Sequence, residues 1–336
     1  MSKRLGWAVV GTGGISRTTA GDLHLTENLD LVAVASRTIE NAVVFAADFE
    51  VPRAYGDYGS LLADDDIDVV YIGTPIATHA ELARRALLAG KHVLVEKAFT
   101  TTAAEARALA ALAAVQGRFL MEAMWMRFNP VIELVLDEVA DGAVGDVLSV
   151  QAGFGIPFPT TANIWRPELG GGALLDMGVY PLTLAHLFLG PPDTLEATGE
   201  VRADGLDVTA SVLLGYGDGR FAHALTSLAG PVNPVASIGG TDGIIALEAP
   251  FFAADSFRVE LWPDMDWRTE SVDIEGAGYV PMFRAVGEAI EDGLLEHPLR
   301  PLRDTIDVLK TMDEVRRQLT ESGGAPVPEP PAGRRR

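Results

Sequence analysis

The sequence predicts an α/β chain in two parts: a doubly wound parallel sheet at the N-terminus, then an α+β region built on a large, mostly antiparallel sheet. Two observations predict it. Over the first 120 residues, short apolar runs alternate with amphipathic segments of helix length, as in a parallel sheet covered by helices on both faces. The pattern changes after about Met121, and from Asp146 onward the apolar residues recur with period two, as in strands with one buried and one open face.

The runs at 5–10, 31–35, 69–72 and 93–95 are short, rich in β-branched residues and bounded by turns, so they are expected as buried parallel strands. Between them, 15–25, 40–49, 78–88 and 102–115 carry helical patterning. A helix is expected at 129–139. Period-two segments follow at 147–154, 194–203, 208–214, 220–228 and 257–261, with a glycine-rich hairpin turn at 215–219. Helices at 282–292 and 302–319 close the pattern. The expected domains are 1–122 and 123–322, with 323–336 as a polar, proline-containing tail.

Composition narrows the function classes. A chain of 336 residues with 48 % apolar content can build two cores. It has no cysteine, which excludes disulfides, thiolate metal sites and a cysteine nucleophile. A net charge of −21 disfavours nucleic acid and anionic membrane as partners. No histidine spacing suggests a metal site. No apolar run is read as approaching the roughly 18 residues of a membrane span, and the apolar run at 5–10 is too short for a signal-peptide core. A cytoplasmic location is therefore expected.

Val9-Val10-Gly11-Thr12-Gly13-Gly14-Ile15-Ser16 closes the first strand and opens the first helix. Gly11 permits the tight turn and Gly13 lets the backbone approach a pyrophosphate. The helix N-terminus adds N–H groups and partial positive charge. Thr12, Gly14 and Ile15 complete the loop, and Ser16 stands where the usual fingerprint has a third glycine. At a first βα turn this reads as a Rossmann dinucleotide site. The next strand ends in Ser36-Arg37, where NAD-binding chains usually place an Asp or Glu for the ribose 2′-hydroxyl. A hydroxyl and a guanidinium suit a 2′-phosphate, so NADP(H) is expected over NAD(H). Thr74 and Pro75 follow the strand at 69–72 and are expected to shape the nicotinamide half. His79 either touches cofactor or caps its own helix.

Glu96-Lys97 places a lysine just past a strand end. Further on comes Gly170-Gly171-Gly172-Ala173-Leu174-Leu175-Asp176-Met177-Gly178-Val179-Tyr180. These residues resemble the glucose–fructose oxidoreductase / inositol dehydrogenase family. Tyr180, where most members carry histidine, and Met121-Glu122-Ala123-Met124-Trp125-Met126-Arg127-Phe128 are similar to its dimeric dihydrodiol dehydrogenase branch, which includes NADP-dependent xylose dehydrogenases. The resemblance extends to about residue 320. It implies hydride transfer between a nicotinamide and a CH–OH or C=O group of a sugar or vicinal diol. It implies Lys97, Asp176 and Tyr180 as catalytic residues, Glu96 and Lys97 beside the cofactor, and a homodimer through the second domain's sheet.

Those roles make chemical sense. Oxidising an alcohol needs a base for the hydroxyl proton, and the reverse reaction needs the same group as an acid. A tyrosine in water ionises near about 10, and a neighbouring ammonium favours its phenolate. Asp176 lies four residues before Tyr180, which on a helix puts both on one face. Asp176 is equally readable as a helix N-cap, and Pro181 suggests that the helix starts late or kinks. The family motif normally runs Glu-Lys-Pro. Here Ala98 follows Lys97, and a peptide before a non-proline residue is almost always trans, so trans is expected. Trp125, Arg127 and Phe154 are expected at a substrate wall, with Trp165 and Arg166 on the loop before the glycine run. For the aromatics, apolar packing is an equal account. Two alternatives stay open: a glycoside hydrolase with a retained nicotinamide, and a non-catalytic sensor of cofactor or sugar.

Overall fold

The computed structural model describes residues 4–321, so the expected tail lies outside the described residues. The described chain divides into two compact units.

The first unit contains β1 (Leu5–Val10), α1 (Gly14–Leu25), β2 (Leu29–Ala35), α2 (Ile39–Asp48), β3 (Arg53–Tyr55), α3 (Tyr58–Leu62), β4 (Val69–Ile72), α4 (His79–Leu88), β5 (His92–Glu96), α5 (Ala103–Gln116) and β6 (Leu120–Ala123). The strands form a parallel sheet in the order β3-β2-β1-β4-β5-β6. Its central strands are apolar because both faces are covered: Trp7, Ala8, Val9 and Val69 through Ile72 are buried. The order reverses between β1 and β4, so the loops after these strands open a crevice at the carboxyl edge. β3 and β6 are absent from the expected pattern. β3 has only three half-buried residues, and β6 sits where the period changes.

The second unit begins with α6 (Pro130–Ala140) and β7 (Val147–Gly155). A π-helical turn at Leu174–Gly178 runs into α7 (Val179–Leu189). Then come β8 (Thr194–Val201), β9 (Asp207–Gly215), β10 (Phe221–Ser227), β11 (Ala236–Gly240), β12 (Gly243–Leu247), β13 (Ser256–Leu261) and β14 (Asp266–Ser271). They form one eight-stranded sheet, order β14-β13-β12-β11-β7-β10-β9-β8, antiparallel except where β7 meets β10. α7 packs on one face, over β7 and β10, where Val150 and Ala224 are buried, and the π-helical turn lies against β9. The other face carries Leu213 and Phe221 in the open. β11 escapes the period-two reading because Ala-Ser-Ile-Gly-Gly has too few side chains to alternate. β14 escapes it because its residues are almost all exposed.

The chain then returns to the first unit over residues 273–306, so a single cut at 122/123 does not describe it. The cause is the apolar face of α8 (Val280–Glu291). Phe283 meets Trp7 of β1 and Tyr71 of β4 edge-on, at 5.8 and 5.6 Å between centroids. The buried Asp22 carboxylate accepts N–H bonds from Ala277 and Tyr279 and fixes the approach. α9 (Leu302–Glu321) ends the described chain.

One expectation on apolar length is corrected. The stretch Pro167–Leu189 is long and apolar enough to cross a membrane, but 78 % of its 18-residue window is buried within the protein, as a core helix requires.

Candidate active site

At the first βα turn, Gly11 has φ +105°, and an added Cβ would sit 2.6 Å from the Gly73 carbonyl oxygen. Only glycine fits there. Gly13 and Gly14 are exposed, and nothing lies within 4 Å of where their Cβ atoms would be, so the start of α1 is open to an anion. Ser16 fits in place of the third glycine because its partner is itself a glycine: the Ser16 hydroxyl donates to the Gly73 carbonyl at 3.4 Å. Beside this loop the Thr12 and Ser36 hydroxyls lie 3.3 Å apart. Arg37 is exposed, Ile15 is half-buried, and the first carboxylate after β2 is Glu40, inside α2. The residues therefore fit a dinucleotide carrying a 2′-phosphate. Gly11 through Ile15 would hold the pyrophosphate, with Ser36 and Arg37 on the 2′-phosphate.

The loops after β4 and β5 open on the same edge of the sheet. Thr74 and Pro75 are half-buried, and the hydroxyls of Thr74 and Thr78 pair at 2.7 Å. Glu96 is buried, accepts the Tyr71 hydroxyl at 2.6 Å and the Lys97 N–H at 3.2 Å, and is pushed up to about 7, chiefly by burial. Lys97 is half-buried. The Lys97–Ala98 peptide is cis, which corrects the trans expectation; the next peptide is gripped by buried side chains on both edges. His79 is corrected too. It is fully buried, with Nε2 2.8 Å from the Thr74 carbonyl and Nδ1 3.1 Å from the Ala98 carbonyl, so both ring nitrogens face backbone of its own unit. Burial pushes its imidazole below the ordinary value.

Trp125 is buried and stacks on Tyr279 at 4.4 Å, and Gly278, with φ +95°, makes room for the ring. Packing thus claims much of the surface expected to meet substrate. Arg127 is half-buried beside His297, whose imidazole is lowered by burial and then by that guanidinium.

In the second unit, Tyr180 lies in the first turn of α7 and is 4 % exposed. Phe252 stacks on it at 4.6 Å, and Phe154 meets it edge-on at 6.1 Å. Phe154, expected at a substrate wall, meets the Tyr180 ring, whereas Phe252 comes from a distant segment with no sequence signal. Pro181 sits at the third position of α7, just past the π-helical turn, so its missing N–H falls where the two helical segments join. Asp176 is half-buried in the π-helical turn, a feature often found at functional sites. Asp176 does not cap this turn. Asp207 does so, accepting the Leu174 N–H at 2.6 Å, and its burial pushes its carboxyl up to about 6. Gly172 is required by that contact: with φ +129°, its Cβ would lie 2.4 Å from an Asp207 oxygen. Trp165 donates its indole N–H to the Phe158 carbonyl and packs with Ala173, Met177 and Val208, so it belongs to the core. Arg166 is exposed and pairs with Glu168 at 2.8 Å.

A family model described as an oxidoreductase family with an NAD-binding Rossmann fold matches residues 5–124, and a GFO/IDH/MocA C-terminal domain model matches residues 133–246. The chain belongs to the Gfo/Idh/MocA oxidoreductase family. It is 34 % identical over 321 residues to a trans-1,2-dihydrobenzene-1,2-diol dehydrogenase from Xenopus laevis, covering 93 % of this chain and 97 % of that one. It is 33 % identical to a D-xylose 1-dehydrogenase (NADP(+)) from Haloferax volcanii, covering 95 % and 98 %. Among solved structures, a 3-ketoreductase from Actinomadura kijaniata in complex with NADP and TDP-benzene superposes with a TM-score of 0.85 at 30 % identity, covering 94 % and 98 %. Family membership favours the oxidoreductase reading over the glycosidase and the sensor.

Proposed function

We propose that this chain is an NADP(H)-dependent dehydrogenase or reductase acting in the cytoplasm on a CH–OH or C=O group of a sugar or vicinal diol. The observation that carries the cofactor choice is the end of β2. Ser36 and the exposed Arg37 stand where a 2′-hydroxyl-binding carboxylate would be, beside an open helix N-terminus. Relatives named for NADP, for xylose and for a diol support the substrate class.

When bound, the nicotinamide supplies the carbon that accepts or gives the hydride. The rest falls to this chain's side chains. Tyr180 exchanges the hydroxyl proton, as base in oxidation and as acid in reduction. Lys97 supplies the positive charge that favours the deprotonated oxygen. Asp176 orients a substrate hydroxyl, and the rings of Phe154 and Phe252 form an apolar wall suited to a sugar or ring face.

The test is a screen of aldoses, diols and dicarbonyls with NADP(H) and NAD(H), repeated with Tyr180→Phe and Lys97→Met. Removing the proton-transfer group is expected to lower kcat by about 10²- to 10⁴-fold. Persistent turnover in both variants overturns the assignment. The same reading includes a homodimer through the open sheet face that exposes Leu213 and Phe221. A monomeric mass by light scattering overturns that part.

A further inference from the structure

One peptide group in the lysine loop is held from both edges. The carbonyl of Ala98 lies 3.1 Å from His79 Nδ1, and the N–H of Phe99, in the same peptide plane, donates to Glu122 Oε1 at 3.1 Å. Both side chains are buried, His79 at 0 % and Glu122 at 1 % exposure. Each also has a contact at its far end. His79 Nε2 lies 2.8 Å from the Thr74 carbonyl, and Glu122 Oε2 accepts Arg300 Nε at 3.1 Å and the Thr305 hydroxyl at 3.0 Å. Carbonyls only accept, so each contact with His79 uses the ring as donor, and a neutral ring donates to one of the two carbonyls at a time.

We propose that His79 is a positioning residue for Lys97: donating from Nδ1, it closes one jaw of a clamp on the Ala98–Phe99 peptide, opposite Glu122. A peptide held at one edge can swing about its flanking torsions, and a peptide held at both cannot. The torsions of Ala98 fix where the Lys97 backbone points, and misplacing a reacting group by about 1 Å can cost about 10²-fold in rate. Thr74 lies at the carboxyl edge where the nicotinamide half is expected, so the contact of His79 with Ala98 is the one that bears on Lys97. The proposal rests on the reading of Lys97 given under Proposed function.

The test exploits the two ring nitrogens. The amide of His79→Asn falls near the place of Nδ1 and keeps a donor for Ala98. The amide of His79→Gln falls near the place of Nε2 and keeps only the Thr74 tie. His79→Leu keeps neither. His79→Leu and His79→Gln are expected to lower kcat by about 10- to 100-fold, with the Kd for NADPH within about threefold, and His79→Asn is expected to stay within about threefold of the parent kcat. A residue that merely supports the fold would not separate Asn from Gln in this way. Should His79→Leu fail to fold, the Asn–Gln contrast still decides. An independent readout uses the four lysines of the chain, Lys3, Lys91, Lys97 and Lys310. After reductive ¹³C-methylation, with Lys97 assigned through Lys97→Arg, its resonance is expected to move in the Gln and Leu variants and to stay in Asn. Unchanged kcat and an unmoved resonance in His79→Gln overturn the proposal. If Lys97→Met proves fully active, the catalytic reading falls, and the resonance alone still decides the clamp.

Discussion

Replacing Glu96 by glutamine is expected to remove a pH dependence from the stability of the first unit. The Glu96 carboxyl is 3 % exposed, and burial raises it from its ordinary 4.5 to about 7. The sign follows from proton counts. Between those values the folded state keeps a proton that the unfolded chain has released. The contribution is therefore fully present below pH 4.5 and is lost as pH rises to about 7. At about 1.4 kcal/mol per pH unit, the whole span is worth about 3 kcal/mol, and about 2–3 kcal/mol of it falls between pH 5 and pH 8. Glutamine imitates the protonated acid: its oxygen still accepts the Lys97 N–H, and its amide donates to the Tyr71 oxygen. Other groups titrate in both proteins, so the informative quantity is the difference between them. At about 2–4 °C per kcal/mol for a unit of this size, calorimetry should show Glu96→Gln gaining about 5–10 °C on the parent between pH 5 and pH 8. Parallel melting curves across that range would refute the reasoning, because they would mean that burial does not hold Glu96 neutral.

Three further outcomes are expected. Gly11→Ala meets the Gly73 carbonyl at 2.6 Å from a backbone at φ +105°, so titration calorimetry should show NADPH binding weakened by more than about tenfold. Arg37→Asp removes the guanidinium proposed for the 2′-phosphate and adds a repelling charge. Fluorescence titration should show a loss of about 10- to 100-fold for NADPH and little change for NADH. Trp125→Leu empties the stack on Tyr279 and should cost about 2–3 kcal/mol in urea unfolding while KM stays within about threefold. A large rise in KM alone would return Trp125 to the substrate wall.

The elements that sequence patterning reveals are those whose burial is set locally. β1 and β4 appear at their expected bounds because strands covered on both faces read as unbroken apolar runs. β11 and β14 do not, because a glycine-rich strand and an exposed one carry no alternation. The return of α8 to the first unit is illegible for a different reason: its helical pattern says that one face is buried, and only the structure says that Trp7 and Tyr71 receive it. Within the candidate site, the glycine loop and the Ser36-Arg37 pair were readable because their positions after β1 and β2 are fixed by chain order. Phe252 was not, because its approach to Tyr180 depends on where a distant loop lands.

The least legible residues share one physical character. Sequence reasoning assigns an ionisable side chain to solvent, to a ligand or to a partner charge. Here Glu96, Glu122 and Asp207 are all buried, and each accepts a backbone N–H, that of Lys97, Phe99 and Leu174 respectively, in a segment that carries a candidate catalytic residue. Burying a carboxylate is costly unless it is hydrogen-bonded or paired. The raised values of Glu96 and Asp207 show that cost, and Glu122 meets it with Arg300 and Thr305. Placed this way, the three carboxylates add less to bulk stability than apolar residues of the same volume would. What an apolar residue cannot do is accept a backbone N–H and so select one loop conformation among several close in energy. The role proposed for Lys97 gains from that selection, because a catalytic group needs to be held to within about 0.5 Å. With Lys97 in its proposed role, the buried acids position the site more than they strengthen the core.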